Sequence, residues 1–345
     1  MAYTDIDKPT DYFNTKLYTG NGGTNAITGV GFQPDWVWIK QRDIAENHMI
    51  YDSVRGATKD IRSDGTYAEN TNAQSLQSFN SDGFTLGNLD NVNKNSGSFA
   101  SWNWLAGGTG SSNTDGSITS TVSANTTSGF SIVSYTGNGS AGATVGHGLG
   151  NVVPKMIIIK GRGTTYNWVV GHNSLSTNWG KYLTLSTTDA VETATNIFND
   201  TAPTSSLFSL GTALGVNTSS STYIAYCFSE KKGFSKFGSY TGNGNADGTF
   251  VYTGFSPSFV MVKKTNGTGN WVMFDNKRNT FNVVDKRLVA NLSDDEGTSD
   301  RLDFLSNGWK FRSTATNVNG SDSYIYMCFA SEPFTTSTGI PCTAR

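Results

Sequence analysis

Three histidines, His48, His147 and His172, and one run of acids, Asp294, Asp295 and Glu296, are the residue types from which a metal centre or an acid–base pair would be built. No histidine stands at metal-ligand spacing from another histidine or a cysteine. His147 lies in the glycine-rich stretch "VGHGLG" and reads as a solvated or capping residue. The acid run would suit a glycosidase pair or a calcium site, but it is followed directly by Gly297 and reads more simply as a solvated turn. No "GxSxG" elbow is present to support a serine nucleophile. The "GNGG" and "GNGS" runs lead into strands and not helix N-termini, so no helix dipole awaits a phosphate. The expectation is a chain without catalytic residues, bound metal or cofactor. Tyr166, Asn167 and Trp179 lie in loop-like stretches and are the candidates for stacking on and hydrogen-bonding a glycan, although Asn167 aligns with Asn270 and so also suits a structural role.

These residues hang on a pattern that occurs three times: "FQPDWVWIK" (Phe32 to Lys40), "VVPKMIIIK" (Val152 to Lys160) and "FSPSFVMVK" (Phe255 to Lys263). Each has a proline six residues before a lysine with an apolar run between. Side chains alternate across a strand. One face therefore carries Trp36 and Trp38, Met156 and Ile158, or Phe259 and Met261; the other carries Val37 and Ile39, Ile157 and Ile159, or Val260 and Val262. Two apolar faces predict a central strand covered on both sides. The proline cannot donate to a ladder, so it is expected at the strand's first residue.

Around this strand the copies share further motifs. Each opens on an aromatic strand running into "YTGNG", whose glycines and asparagine suit a tight turn. Each closes on "NVN" or "GVN" and an aromatic strand: Phe99 to Trp104, Tyr223 to Phe228, Tyr324 to Phe329. Six or more short strands per copy, separated by turns, predict an all-β chain of three tandem antiparallel β-sandwich or jelly-roll-like repeats. The expected boundaries are a lead-in over 1–12, repeats at 13–105, 130–228 and 234–330, a Gly/Ser/Thr-rich linker at 106–129, a short linker at 229–233 and a tail at 331–345. The long linker is expected to be flexible or partly extended, leaving the first repeat apart from a rigid pair formed by the other two. The lead-in would dock, if anywhere, as a peptide on a neighbour.

Composition excludes several partners. Aromatics make up 12% and charged residues 15% of the 345 residues, with a net charge of −2. There is no basic cluster to bind nucleic acid, and no apolar run long enough to insert in a membrane as a helix. The N-terminal stretch lacks a signal-peptide core. Cys227 and Cys328 fall at equivalent points of the closing strands, where the first copy has Asn103, and read as buried reduced thiols; Cys342 has no assigned role.

The ordered set "YTGNG…GFQPDWVWIK…DSVRG…FNSDGFTLG…WNWLAGG…NTDGSI", continued by "GFSIVSYTGNG…VGHGLG…PKMIIIK", resembles a repeat family of predicted virion structural proteins of marine tailed bacteriophages, from about Phe13 to Phe329. The third copy departs from the pattern, with Ser258 and Phe259 where the first has Asp35 and Trp36. The resemblance implies a non-enzymatic tail-fibre or spike component involved in host attachment. It would be made in the host bacterial cytoplasm and built into the virion. Its partners would be copies of itself in a trimer, other virion proteins, and a host surface glycan or protein. A capsid decoration or head-fibre protein is the alternative, and a spike-associated glycan-degrading enzyme the third reading.

Overall fold

The computed structural model describes residues 3–342. It is all-β, built from antiparallel sheets, and its α-helices are single turns of four residues. The larger sheets share a strand order. In the first segment Phe13–Thr19 pairs with the closing strand Ser98–Trp104, which pairs with Trp36–Gln41, which pairs with Met49–Asp52. The same succession runs Phe130–Thr136, Thr222–Phe228, Met156–Gly161, Val169–His172 in the second. In the third it runs Ser235–Thr241, Ser323–Pro333, Phe255–Lys264, Trp271–Asp275. Each larger sheet lies across a core from a smaller one of two or three strands, a sandwich-like arrangement.

Alternation along the proline–lysine strands works as the sequence predicts. Val37 and Ile39, Ile157 and Ile159, and Val260 and Val262 enter three separate cores, each between a segment's own two sheets. Trp36, Trp38, Met156, Ile158, Phe259 and Met261 all enter a fourth core shared by the three larger sheets. There Trp36 stacks on Tyr226 with centroids 4.6 Å apart, Phe13 stacks on Phe329 at 5.0 Å, and Phe228 meets Phe329 edge-on at 6.1 Å. Each such ring removes about 150–250 Å² from water, or roughly 4–6 kcal/mol at about 25 cal/mol/Å². The first segment therefore packs against both others and is not set apart.

Three other expectations change. Pro34 and Pro154 precede their strands, but Pro257 lies inside Phe255–Lys264, at a register shift on either side of it. A bulge is where a strand tolerates a residue without an N–H. The stretch 106–129 is partly extended, but paired and not free: Ser120–Asn125 pairs with Phe130–Thr136, and Ser111–Asn113 pairs with Ser120–Asn125 at the sheet's edge. The lead-in docks within its own chain, where Thr4 Oγ1 and the Asp5 N–H both donate to the Lys232 carbonyl and Ile6 enters the shared core.

The "YTGNG" and "VN" motifs occur together because they bond to each other. The hydroxyls of Tyr18, Tyr135 and Tyr240 donate to the carbonyls of Val92, Val216 and Val318 at 2.7, 2.7 and 2.5 Å. The next residue, buried Asn93, Asn217 or Asn319, accepts from the turn's Asn21, Asn138 or Asn243 N–H through Oδ1. Its Nδ2 donates to the carbonyl of Gly87, Gly211 or Ser313. A Cβ on the first glycine of the turn, Gly20, Gly137 or Gly242, would stand 2.0–2.5 Å from a backbone oxygen, so only glycine fits.

Candidate functional site

The polar groups with the most developed geometry lie at the joints between segments. Asp52, His172 and Asp275 occupy one strand position, opposite Trp36, Met156 and Phe259. Trp102, Tyr226 and Met327 occupy another, opposite Trp38, Ile158 and Met261. At the joint of the second segment with the first, Tyr226 Oη donates to Asp52 Oδ2 at 2.7 Å, and Arg55 Nε donates to the same oxygen at 2.5 Å. Glu69 there accepts from Arg162 Nε and Nη2 at 2.8 and 3.0 Å, with Arg55 Nη1 at 3.4 Å.

The joint of the first segment with the third repeats this set. Trp102 Nε1 donates to Asp275 Oδ2 at 3.1 Å, and Arg278 Nε donates to it at 2.5 Å. Arg42 clamps Glu296 with two bonds of 2.9 Å, and Arg278 Nη1 reaches the same carboxylate at 3.3 Å. Burial would raise the Glu69 pKa, but the guanidinium groups of Arg162 and Arg55 hold it below the ordinary value.

At the joint of the third segment with the second the equivalent residues are His172, Leu175, Val191, Thr265 and Met327. The backbone contact is kept: the N–H of Glu69, Glu296 or Val191 donates to the carbonyl of Arg162, Arg42 or Thr265 at 2.7–2.8 Å. The charges are gone, and Leu175 and Val191 pack on the shared core. His172 Nε2 bonds instead to the Tyr326 carbonyl at 3.2 Å.

A cyclic set of bonds ties the joints together. Trp168 Nε1 donates to the Arg62 carbonyl at 2.7 Å and Trp271 Nε1 to the Thr184 carbonyl at 2.9 Å, while His48 Nε2, at the matching position, meets the Val289 carbonyl at 3.0 Å. Each segment thus reaches the next, and the ring closes. The Nδ1 of His48 accepts from Trp38 Nε1 at 2.8 Å, which makes Nε2 the protonated nitrogen. The lysines of the three proline–lysine strands are buried too. Lys160 Nζ donates to the carbonyls of Thr66, Thr164 and Tyr166, and Lys263 Nζ to those of Thr188 and Lys264. Burial lowers the pKa of Lys40, Lys160 and Lys263 to about 8.

The residues singled out from the sequence are scattered. Trp179 is only 4% exposed and packs edge-on against Phe198 at 5.2 Å, over Gly171, so its ring is not offered to a sugar. Tyr166 is half-buried and Asn167 exposed, with Asn167 Oδ1 accepting from Ser186 Oγ at 3.2 Å. The matching Asn270 accepts from Asn291 in the same way. His147 is buried and not solvated: Nδ1 accepts from the Leu149 N–H and Nε2 meets the Thr204 carbonyl. Of the acid run, Asp294 and Asp295 are exposed while Glu296 is the carboxylate of a joint. Cys227 and Cys328 are free and buried. Among the described residues no three His, Cys, Asp or Glu side chains gather as a metal site. No helix among them is long and apolar enough to cross a membrane.

One surface feature was not anticipated. A groove of about 310 Å³ beside the edge strand Ser235–Thr241 is lined by exposed Tyr3, Tyr252 and Phe334 with Lys236, whose ammonium lies 5.4 Å from the Tyr252 ring centroid. Its aromatics come from three distant parts of the chain, and no spacing in the sequence brings them together.

The family model described as a domain of unknown function, DUF7483, matches residues 8–333, from just before the first strand to the end of the last. The chain belongs to this family. The DUF7483 match therefore takes in all three of the larger sheets together with the joints between them. No curated protein and no solved structure matches the chain.

Proposed function

We propose that this DUF7483 chain consists of three tandem copies of one sandwich unit and serves as a non-enzymatic structural component of a bacteriophage virion. Within the virion we assign it to a tail fibre or spike that takes part in host attachment. The observation that supports this reading is the closed ring: the buried polar side chains with the most developed geometry are consumed in holding sandwich to sandwich. A rigid ring with threefold pseudo-symmetry built from one chain suits a part that works by shape. The virion assignment itself rests on the resemblance of the repeat motifs. In this reading any trimer of the chain uses surfaces outside the joints, since the joints are already filled. Tyr166 and Asn167 remain the accessible glycan-contact candidates, and burial removes Trp179. A capsid decoration protein or head fibre is the second reading, since a rigid ring that works by shape would suit a capsid lattice as well.

Mass spectrometry of purified particles of a phage that encodes the chain tests the proposal. The expected result is the chain present in stoichiometric amount after extensive washing. Its absence from particles, with presence in the infected-cell lysate, would overturn the assignment.

A further inference from the structure

Each sandwich presents two halves to its neighbours. One half holds the positions of Asp52, Arg55 and Glu69; the other holds those of Arg42 and Trp102. In the first segment both halves are charged or carry a ring donor. The second segment has Arg162 and Tyr226 on one side but His172, Leu175 and Val191 on the other. The third reverses this, with Asp275, Arg278 and Glu296 on one side and Thr265 and Met327 on the other. As assembled, charged halves meet charged halves at two joints and neutral meets neutral at the third.

We infer that these residues are the specificity determinants of assembly between sandwich units. A charged half accepts only a neighbour that offers an arginine and an O–H or indole N–H donor. A neutral half accepts only a neutral one. The partner each half fits is thus another sandwich of the same design and the same joint chemistry. The physical reason is the cost of stranding a buried charge: removing one partner of such a set is far more destabilising than replacing the whole set with apolar groups. Mismatched neighbours would place Glu69 against Thr265, or Arg42 against Val191. Unpaired charges of this kind in the wrong pairings add to the attractive contacts of the right ones in giving an interface its selectivity. The inference rests on the three-unit reading above.

The test converts the neutral joint in the full-length chain. Val191→Glu alone should lower the melting temperature by several degrees, and Thr265→Arg alone should lower it too. The double variant should recover at least about half of the summed loss, because the new Glu and Arg take up the geometry of Glu69 with Arg162. If Val191→Glu does not fold, the reverse conversion is read instead: Glu69→Val and Arg162→Thr singly against the pair. Strictly additive losses in whichever cycle is read would overturn the inference. Additivity would leave the virion assignment standing, since particle composition tests that separately.

Discussion

The phenolic hydroxyl of Tyr226 donates to Asp52 across the joint between the second and first segments, and both side chains are fully buried. Asp52 also accepts from the Arg55 Nε and, through Oδ1, from the Arg55 backbone N–H, so the Tyr226 bond is one of three that compensate a carboxylate removed from water. Tyr226→Phe should therefore destabilise the chain by about 1–3 kcal/mol, the usual result of deleting one donor to a buried charged acceptor. Met327→Leu, at the same position of the neutral joint, should cost less than about 1.5 kcal/mol as a volume-conserving change. Urea unfolding of both variants checks the contrast. Equal losses would mean that the carboxylate does not depend on the tyrosine.

Glu69→Gln keeps the shape of the side chain but removes the charge that two arginines share. An expected loss of about 2–4 kcal/mol follows from leaving the guanidinium groups of Arg55 and Arg162 undercompensated. Asp294→Asn, on the exposed part of the acid run, should change stability by no more than about 0.5 kcal/mol. Thermal unfolding followed by near-ultraviolet circular dichroism reads both, since the tryptophans of the shared core report the packed state.

Much of the single sandwich was legible in the sequence. The alternation of Trp36, Val37, Trp38 and Ile39 assigned the faces of the central strand, because a period of two admits only one division. The ring was not legible. Arg42 and Glu296, or Glu69 and Arg162, lie far apart in the chain, and nothing local pairs them. A signal was nonetheless present: where the aligned copies have Glu69, Val191 and Glu296, the facing copies have Arg162, Thr265 and Arg42. Reading 106–129 from composition alone missed that its Val122 returns to the second sandwich's core. Trp179 was misplaced because its neighbours are polar, whereas the bare Gly171 beneath it provides the space for its ring.

Acid should weaken the joints. Burial lowers the His172 pKa to about 4 and holds His48 well below its ordinary value, so both are neutral in the folded chain. The unfolded histidines titrate near about 6.5. The stabilisation these residues retain while neutral is complete above the unfolded value and is lost as pH falls from about 6.5 to about 4, on the order of 3 kcal/mol for His172. His172→Gln should flatten the stability profile over that window relative to the parent chain. An unchanged slope in denaturant titrations between pH 7 and 4 would contradict the placement of His172.

Asn217 ties the "GVN" turn to "YTGNG" through Asn138 and to the residue after it, Ser140, and also bonds the Gly211 carbonyl. Asn217→Ala leaves the buried Gly211 carbonyl without this donor, while the exposed Asn138 and Ser140 groups turn to water, and should cost about 1–3 kcal/mol. Hydrogen exchange should show the loss first at the Asn138 amide, with the central strand Met156–Gly161 still protected.

Cryo-electron microscopy of the intact particle tests the central claim most directly. The account predicts ring-shaped density of three sandwiches per chain at the tail, where a fibre or spike meets the host. Density of that shape spread over the capsid lattice would contradict the host-attachment role and make the chain a decoration protein, and particles lacking it would contradict the virion assignment altogether.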